Sequence, residues 1–131
     1  MNYVIDSDIL IYFLKGQSDV VAKLIACPIE NLFTTRINYT ELFYGAYNSI
    51  KVEQNLVKIT EMLNALNILE FDQAASQIFA QDKALLKRQG MLIADMDLMI
   101  ASIVKAQQFT LVTNNHKHFE RIEALNIERW L

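Results

Sequence analysis

The stretch Asn2-Tyr3-Val4-Ile5-Asp6-Ser7-Asp8-Ile9-Leu10-Ile11-Tyr12-Phe13-Leu14 decides the fold. Tyr3, Val4 and Ile5 are β-formers with no polar break, and they predict a short buried strand. Ser7 or Asp8 then caps a predicted helix from about Ile9 to Lys15. Asp6 falls where the strand has ended and that helix has not begun. A carboxylate there is costly to desolvate unless a positive or hydrogen-bonding group meets it. In α/β sheets, ligands bind at the carboxyl ends of strands. Asp6 is therefore the first member of a candidate site.

Downstream, short apolar runs alternate with helical patterns. Ser18 caps a predicted helix that Pro28 stops, and residues 31–35 read as a second strand. Residues 37–48 look helical, with Leu42, Phe43 and Ala46 as the core stripe. Leu56, Ile59, Leu63 and Leu66 make 51–66 amphipathic at helical spacing. A third strand over 67–71 leads to Asp72, which caps a long helix ending near Gly90. A helix over 94–106, a strand over 110–113, a turn at Asn114-Asn115 and a fifth strand over 127–130 complete the chain. Strands alternating with helices argue for a parallel sheet covered on both faces.

The 131 residues read as one domain, 1–131, long enough for a substantial core. Net charge is −3, so any nucleic-acid role must rest on metal ions and local Lys or Arg rather than on overall charge. A hydrophobic share of 53% exceeds the usual soluble composition and suggests an interface. Cys27 is the only cysteine, which excludes an internal disulfide and a multi-thiol metal site. Residues 1–8 carry no basic leader, and the apolar runs 9–14 and 98–104 are too short to span a bilayer; the expected compartment is the cytoplasm.

Three acids stand among apolar neighbours: Asp6, Glu41 and Asp97. Hard divalent cations take carboxylate oxygens and water, and a cluster of acids at strand ends and first helical turns suits them. Each acid also has a purely structural reading. Asp97 suits a helix dipole. Glu41 stands three residues after Asn38, as in a capping box. Asp8 and Asp95 read as caps. His116 and His118 flank the expected turn and form only a weak H-x-H pair. Lys15, Lys83, Lys87, Arg88, Lys117 and Arg121 are candidate phosphate contacts, though any one of them also fits a solvated surface.

With these residues in place, the chain resembles the PIN-domain ribonucleases, specifically the VapC toxins of type II toxin–antitoxin pairs. Residues 4–11 are similar to that family's strand-acid-helix start. Residues 40–46 resemble its E-L-x-x-G segment, residues 93–101 its D-x-x-I-A segment, and residues 110–115 its T-x-N-N strand and turn. The resemblance implies a three-layer α/β/α sandwich with a central, mainly parallel sheet of four to five strands. It implies Mg²⁺- or Mn²⁺-dependent endoribonuclease activity, with Asp6 and Asp97 as metal ligands and Glu41 binding metal or orienting water. Asn115 takes the fourth position, acidic in many PIN domains; an amide there adds no negative charge. Asp8 stands where Asn is frequent. Thr113 is placed to hydrogen-bond a ligand carboxylate. A VapB-type antitoxin, an RNA substrate, a homodimer and a hetero-oligomer with antitoxin are the implied partners, with no membrane.

Two other readings compete. Asp6-Ser7-Asp8 also resembles the D-x-D start of haloacid-dehalogenase-like phosphatases, but Leu10 stands where Thr or Val is usual, and no Gly-Asp pair or motif lysine follows. The other is a catalytically weak PIN scaffold acting as a binding module, for which Asn115 is the argument.

Overall fold

The computed structural model describes residues 1–131. Five strands form a fully parallel sheet in the order β3-β2-β1-β4-β5: β1 (Tyr3–Ile5), β2 (Leu32–Thr35), β3 (Asn67–Leu69), β4 (Thr110–Val112) and β5 (Asn126–Glu128). Seven helices connect them: α1 (Ser7–Leu14), α2 (Ser18–Ala26), α3 (Arg36–Tyr47), α4 (Val52–Asn64), α5 (Gln73–Arg88), α6 (Asp95–Gln107) and α7 (His116–Phe119). The α/β/α sandwich expected from the sequence is present, with all five strands parallel.

β1 lies at the centre and is buried on both faces, as a parallel strand must be. Successive side chains point to opposite faces. Ile5 enters a core shared with Ile9 and Leu10 of α1, Val20 of α2, Leu42 of α3 and Ile59 of α4. Val4 enters the opposite core, with Leu86 of α5, Leu98 and Ile100 of α6, and Phe119 of α7. The chain moves from β1 to β2 on one side, and β4 is added on the other. The order therefore reverses at β1, and the crevice opened by that reversal is where α/β proteins bind ligands.

Several helix starts differ from the sequence reading. α1 begins at Ser7, and Asp6 itself is the cap: its backbone is extended and its carboxylate accepts from the Ser7 N–H at 2.9 Å. Neither Ser7 nor Asp8 takes that role. Gln17 rather than Ser18 caps α2, its carbonyl reaching the Val20 N–H at 2.8 Å. The capping box at α3 joins Thr35 to Asn38, which frees Glu41 from it. Asp95 makes no cap and instead meets Lys83 at 2.9 Å. Asp72 caps α5 as expected, and Gly90 follows that helix with φ +68°.

Ile5 is fully buried and Val57 on α4 is 57% exposed. Ile5→Ala is expected to cost about 2–5 kcal/mol, and Val57→Ala under about 0.5 kcal/mol. Urea unfolding checks this; equal losses at the two positions would mean that the centre of the sheet is not as described.

Candidate active site

Three strand ends converge at the crevice. Asp6 follows β1, Thr113 follows β4, and Thr35 ends β2 with Asn38 in the first turn of the helix after it. The Asp6 carboxylate is buried, and both of its oxygens are held. Oδ1 accepts from the Ser7 N–H at 2.9 Å and from Asn38 Nδ2 at 2.8 Å. Oδ2 accepts from the Thr113 hydroxyl at 2.7 Å.

Asn38 is fully buried, and its whole hydrogen-bonding capacity is in use. Its carbonyl oxygen accepts from the Thr35 hydroxyl at 2.7 Å and the Thr35 N–H at 3.3 Å. Its amide donates to Asp6 and, at 2.9 Å, to Ser7 Oγ. The Ser7 hydroxyl in turn donates to Glu41 Oε1 at 2.9 Å. Every donor in this run points the same way, toward the carboxylates.

The other side of the site reaches Asp97, in the first turn of α6. Thr113 Oγ1 accepts from the Asn115 N–H at 3.0 Å. The Asn115 side-chain amide lies 3.1 Å from His118 Nδ1, and the same nitrogen lies 3.3 Å from Asp97 Oδ2. One nitrogen can accept from the amide or donate to the carboxylate, but not both at once. A continuous hydrogen-bonded path thus joins Glu41, Ser7, Asn38, Asp6, Thr113 and Asn115, and His118 stands between its Asn115 end and Asp97, bonding one or the other.

The structure brings the four sequence-predicted residues into one site and adds members the sequence reading passed over. Asn38 was seen only as a capping position. Ser7 reads in sequence only as a cap, and His118 only as half of a weak H-x-H pair. The expected turn at 114–115 leads directly into α7, which carries both histidines. Asp8, read as a cap, instead accepts from its neighbour Ile9 N–H at 2.7 Å and ties down the loop after β4 through the Asn114 N–H at 2.9 Å. The signal available in sequence was spacing: Asn38 lies three residues before Glu41, and Ser7 directly follows Asp6.

The electrostatics are uncompensated. No lysine or arginine pairs with Asp6, Asp8, Glu41 or Asp97; the one charged-type contact is His118 to Asp97. Burial, with the charge of Asp8 second, pushes Asp6 up to about 7, against the pull of its donors Thr113, Ser7 and Asn38. Burial likewise raises Glu41; the Ser7 hydroxyl opposes this, and the charges of Asp97 and Asp8 add to it. Asp8 is raised by its own burial.

The donor set is oxygen-rich and negative, which fits a hard divalent cation. No three acid, histidine or cysteine side chains stand close enough to enclose an ion by themselves. An ion here would keep several of its waters, as Mg²⁺ does.

The PIN domain profile matches residues 3–125. The chain belongs to the PIN domain family. Among relatives of this PIN domain, the protein called ribonuclease VapC2 of Haemophilus influenzae is 32% identical over 131 residues, covering 100% of this chain and 99% of that one. The protein called tRNA(fMet)-specific endonuclease VapC of Shigella flexneri is 30% identical over 130 residues, covering 99% of this chain and 98% of that one. The fold also matches VapBC2 from Rickettsia felis, solved bound to a DNA fragment from their promoter, with TM-score 0.91, 32% identity and full coverage of both chains. DNA-bound VapBC from Salmonella typhimurium matches with TM-score 0.93 and 28% identity, covering 100% of this chain and 99% of that one. The phosphatase likeness of Asp6-Ser7-Asp8 is confined to that tripeptide.

The raised acids set the sign of the pH dependence. The unfolded chain releases the Asp6 proton near 3.8 and the folded protein near 7. Between these values the folded state holds more protons, so stability falls as pH rises and stays low above about 7. The swing from Asp6 is on the order of 4 kcal/mol. Melting curves in EDTA should show Tm dropping from about pH 5 to about pH 8. Asp6→Asn should flatten that slope and be the more stable form at the alkaline end. A wild-type Tm that climbs over this range contradicts the assignment.

Asn38→Ala removes a buried donor to a carboxylate and is expected to cost about 1.5–3 kcal/mol. Asn38→Asp places a further negative charge against Asp6. Its deficit relative to Asn38→Ala should widen between about pH 5 and about pH 8, because like charges meet only when both groups are ionised. Chemical unfolding at the two pH values reads this directly; a pH-independent gap would remove Asn38 from contact with Asp6.

Proposed function

We propose that this PIN domain is a divalent-metal-dependent endoribonuclease and the toxin of a toxin–antitoxin pair. The observation that carries the reading is the buried Asp6, raised to about 7 and linked through Asn38 and Ser7 to Glu41, on which the charge of Asp97 also acts, with no lysine or arginine paired to any of the three. The full-length similarity to VapC ribonucleases supports it.

Asp6 and Asp97 would hold Mg²⁺ or Mn²⁺, with Glu41 as the third acid. When bound, the ion supplies charge neutralisation at the phosphate and acidifies water. The chain's own groups do the rest. Thr113, Asn38 and the Ser7 N–H fix both oxygens of Asp6, so its remaining lone pairs have a set direction. Ser7 holds one oxygen of Glu41. Burial raises Glu41 above the ordinary carboxylate value, which makes it a stronger proton acceptor than a free carboxylate. Water attacks the scissile phosphorus in line and gives its proton to Glu41, the bond from phosphorus to the 3′ oxygen breaks, and the leaving oxygen takes a proton from solvent. The products carry a 5′-phosphate and a 3′-hydroxyl. The Asn115 amide stands at the mouth as a neutral donor to phosphate oxygen.

The implied partner is a VapB-type antitoxin that sets an Arg or Lys against the carboxylates, where a desolvated charge pair is strong. A homodimer, and a hetero-oligomer with antitoxin, would cover exposed apolar side chains such as Ile25 and Ile50.

Asp6→Ala and Asp97→Ala should each lower RNA cleavage at least about 100-fold and abolish growth arrest on expression, with circular dichroism unchanged. Millimolar Mg²⁺ should raise Tm of the wild type but not of these variants, since binding to the folded state alone stabilises it. A wild-type Tm that ignores Mg²⁺, or variants as toxic as wild type, would defeat metal-dependent hydrolysis as the activity.

A further inference from the structure

His118 touches Asp97, and the hydrolysis proposed above gives it no task. Its Nδ1 lies 3.3 Å from Asp97 Oδ2 and 3.1 Å from the Asn115 amide nitrogen. We propose that His118 Nδ1 is a nitrogen ligand of the divalent ion, beside Asp97, and that it turns the site away from Mg²⁺ toward a first-row transition ion such as Mn²⁺ or Co²⁺. The proposal rests on the metal-dependent reading and names the residue that selects the metal.

Three observations carry it. The first concerns the lone pair. With the Asn115 amide donating to it, Nδ1 is the unprotonated nitrogen of the ring, and the proton sits on Nε2. Nδ1 and the Asp97 oxygen are then two electron-rich atoms 3.3 Å apart with no proton between them. A cation that takes the Nδ1 lone pair satisfies both atoms. It also releases the Asn115 amide to donate elsewhere.

The second is the spacing. Two ligands at right angles on an octahedral ion stand about 3 Å apart. The separation of Nδ1 and Oδ2 therefore admits one ion bound by both with little movement. Phe119, the next residue, is fully buried in the core that also holds Leu98 of α6. That anchor keeps α7, and with it the His118 ring, beside the first turn of α6.

The third is that Asp97 has no other partner. Its carboxylate makes no further side-chain hydrogen bond or ion pair, whereas the Asp6 carboxylate already accepts three hydrogen bonds. The open carboxylate and the imidazole are thus on the same side of the site.

The choice of ion follows from donor chemistry. Mg²⁺ takes oxygen ligands and gives up water reluctantly. Imidazole nitrogen favours first-row transition ions, and affinity at such a site rises from Mn²⁺ to Co²⁺. One nitrogen among oxygens therefore adds little for Mg²⁺, more for Mn²⁺ and most for Co²⁺.

The test uses the full chain, free of any histidine tag. Calorimetry gives Kd for Mg²⁺, Mn²⁺ and Co²⁺, and pulsed electron paramagnetic resonance of bound Mn²⁺ reads any directly coordinated nitrogen. The chain has two histidines, so single substitutions assign the signal. The wild type should show imidazole coupling. His116→Gln should keep it and His118→Gln should lose it. His118→Gln should weaken Mn²⁺ about tenfold or more, and Co²⁺ further still, against less than about threefold for Mg²⁺. Gln can still hydrogen-bond Asp97, so a merely structural contact survives this change.

Bound Mn²⁺ without nitrogen coupling overturns the proposal, as does coupling that persists in His118→Gln. Equal losses for Mg²⁺ and Co²⁺ overturn it too, because they assign His118 to holding Asp97 in place. If the wild type cuts RNA in Mg²⁺ but shows no nitrogen coupling, the ribonuclease reading stands and the ligand assignment falls. Imidazole coupling in a protein that cuts RNA with none of the three ions refutes the ribonuclease reading and leaves His118 as a ligand.

Discussion

The buried carboxylate of Asp6 constrains everything around it. It sits at the end of the central strand, in the crevice where the strand order reverses, and no cation is paired with it. An ion so placed is tolerable only if neutral donors replace the water it has lost. Thr113 from the end of β4, Asn38 from the start of α3 and the backbone of Ser7 supply them. These donors lie on three elements that meet only when the sheet has formed. Their opposition to the burial cost is incomplete, and the residual cost is visible as an acid that titrates near neutrality. Such a residue weakens the fold and is best explained by the ligand that would relieve it.

The fold was largely legible in the sequence. The alternation of apolar strands with helical patterns gives five strands and their covering helices, and the position of Asp6 at a strand end pointed to the crevice. Helix starts were less legible, for a physical reason. A cap is chosen by backbone geometry as well as by residue type, and Asp6, Ser7 and Asp8 are all good capping residues in a row. The extended backbone at Asp6 decided among them. The same ambiguity hid Gln17 behind Ser18, and placed the capping box at Glu41 instead of Thr35.

The acids themselves were legible because charge among apolar neighbours stands out. Their support was not. Asn38 looks like an ordinary helix-start amide until β1 and β2 are side by side and its Nδ2 meets Asp6. His118 acquires a role only because α7 folds back over the first turn of α6. Hydrogen-bond partners separated by more than a hundred residues, such as Thr113 and Asp6, follow from the parallel register of β1 with β4 and from nothing local. Residue spacing shows periodicity, and therefore faces; it does not show which faces meet.

The proposed role of Asp6 as a metal ligand makes the titration of this buried acid, which no lysine or arginine pairs with, the decisive measurement. Carbon-13 NMR of the Asp6 carboxyl group, followed over pH in EDTA and again in saturating Mg²⁺, measures it. The account predicts a midpoint near 7 without metal and one displaced far toward acid with it, because a bound cation favours the ionised form. A midpoint in the ordinary aspartate range near 3.9, unmoved by Mg²⁺, would contradict it.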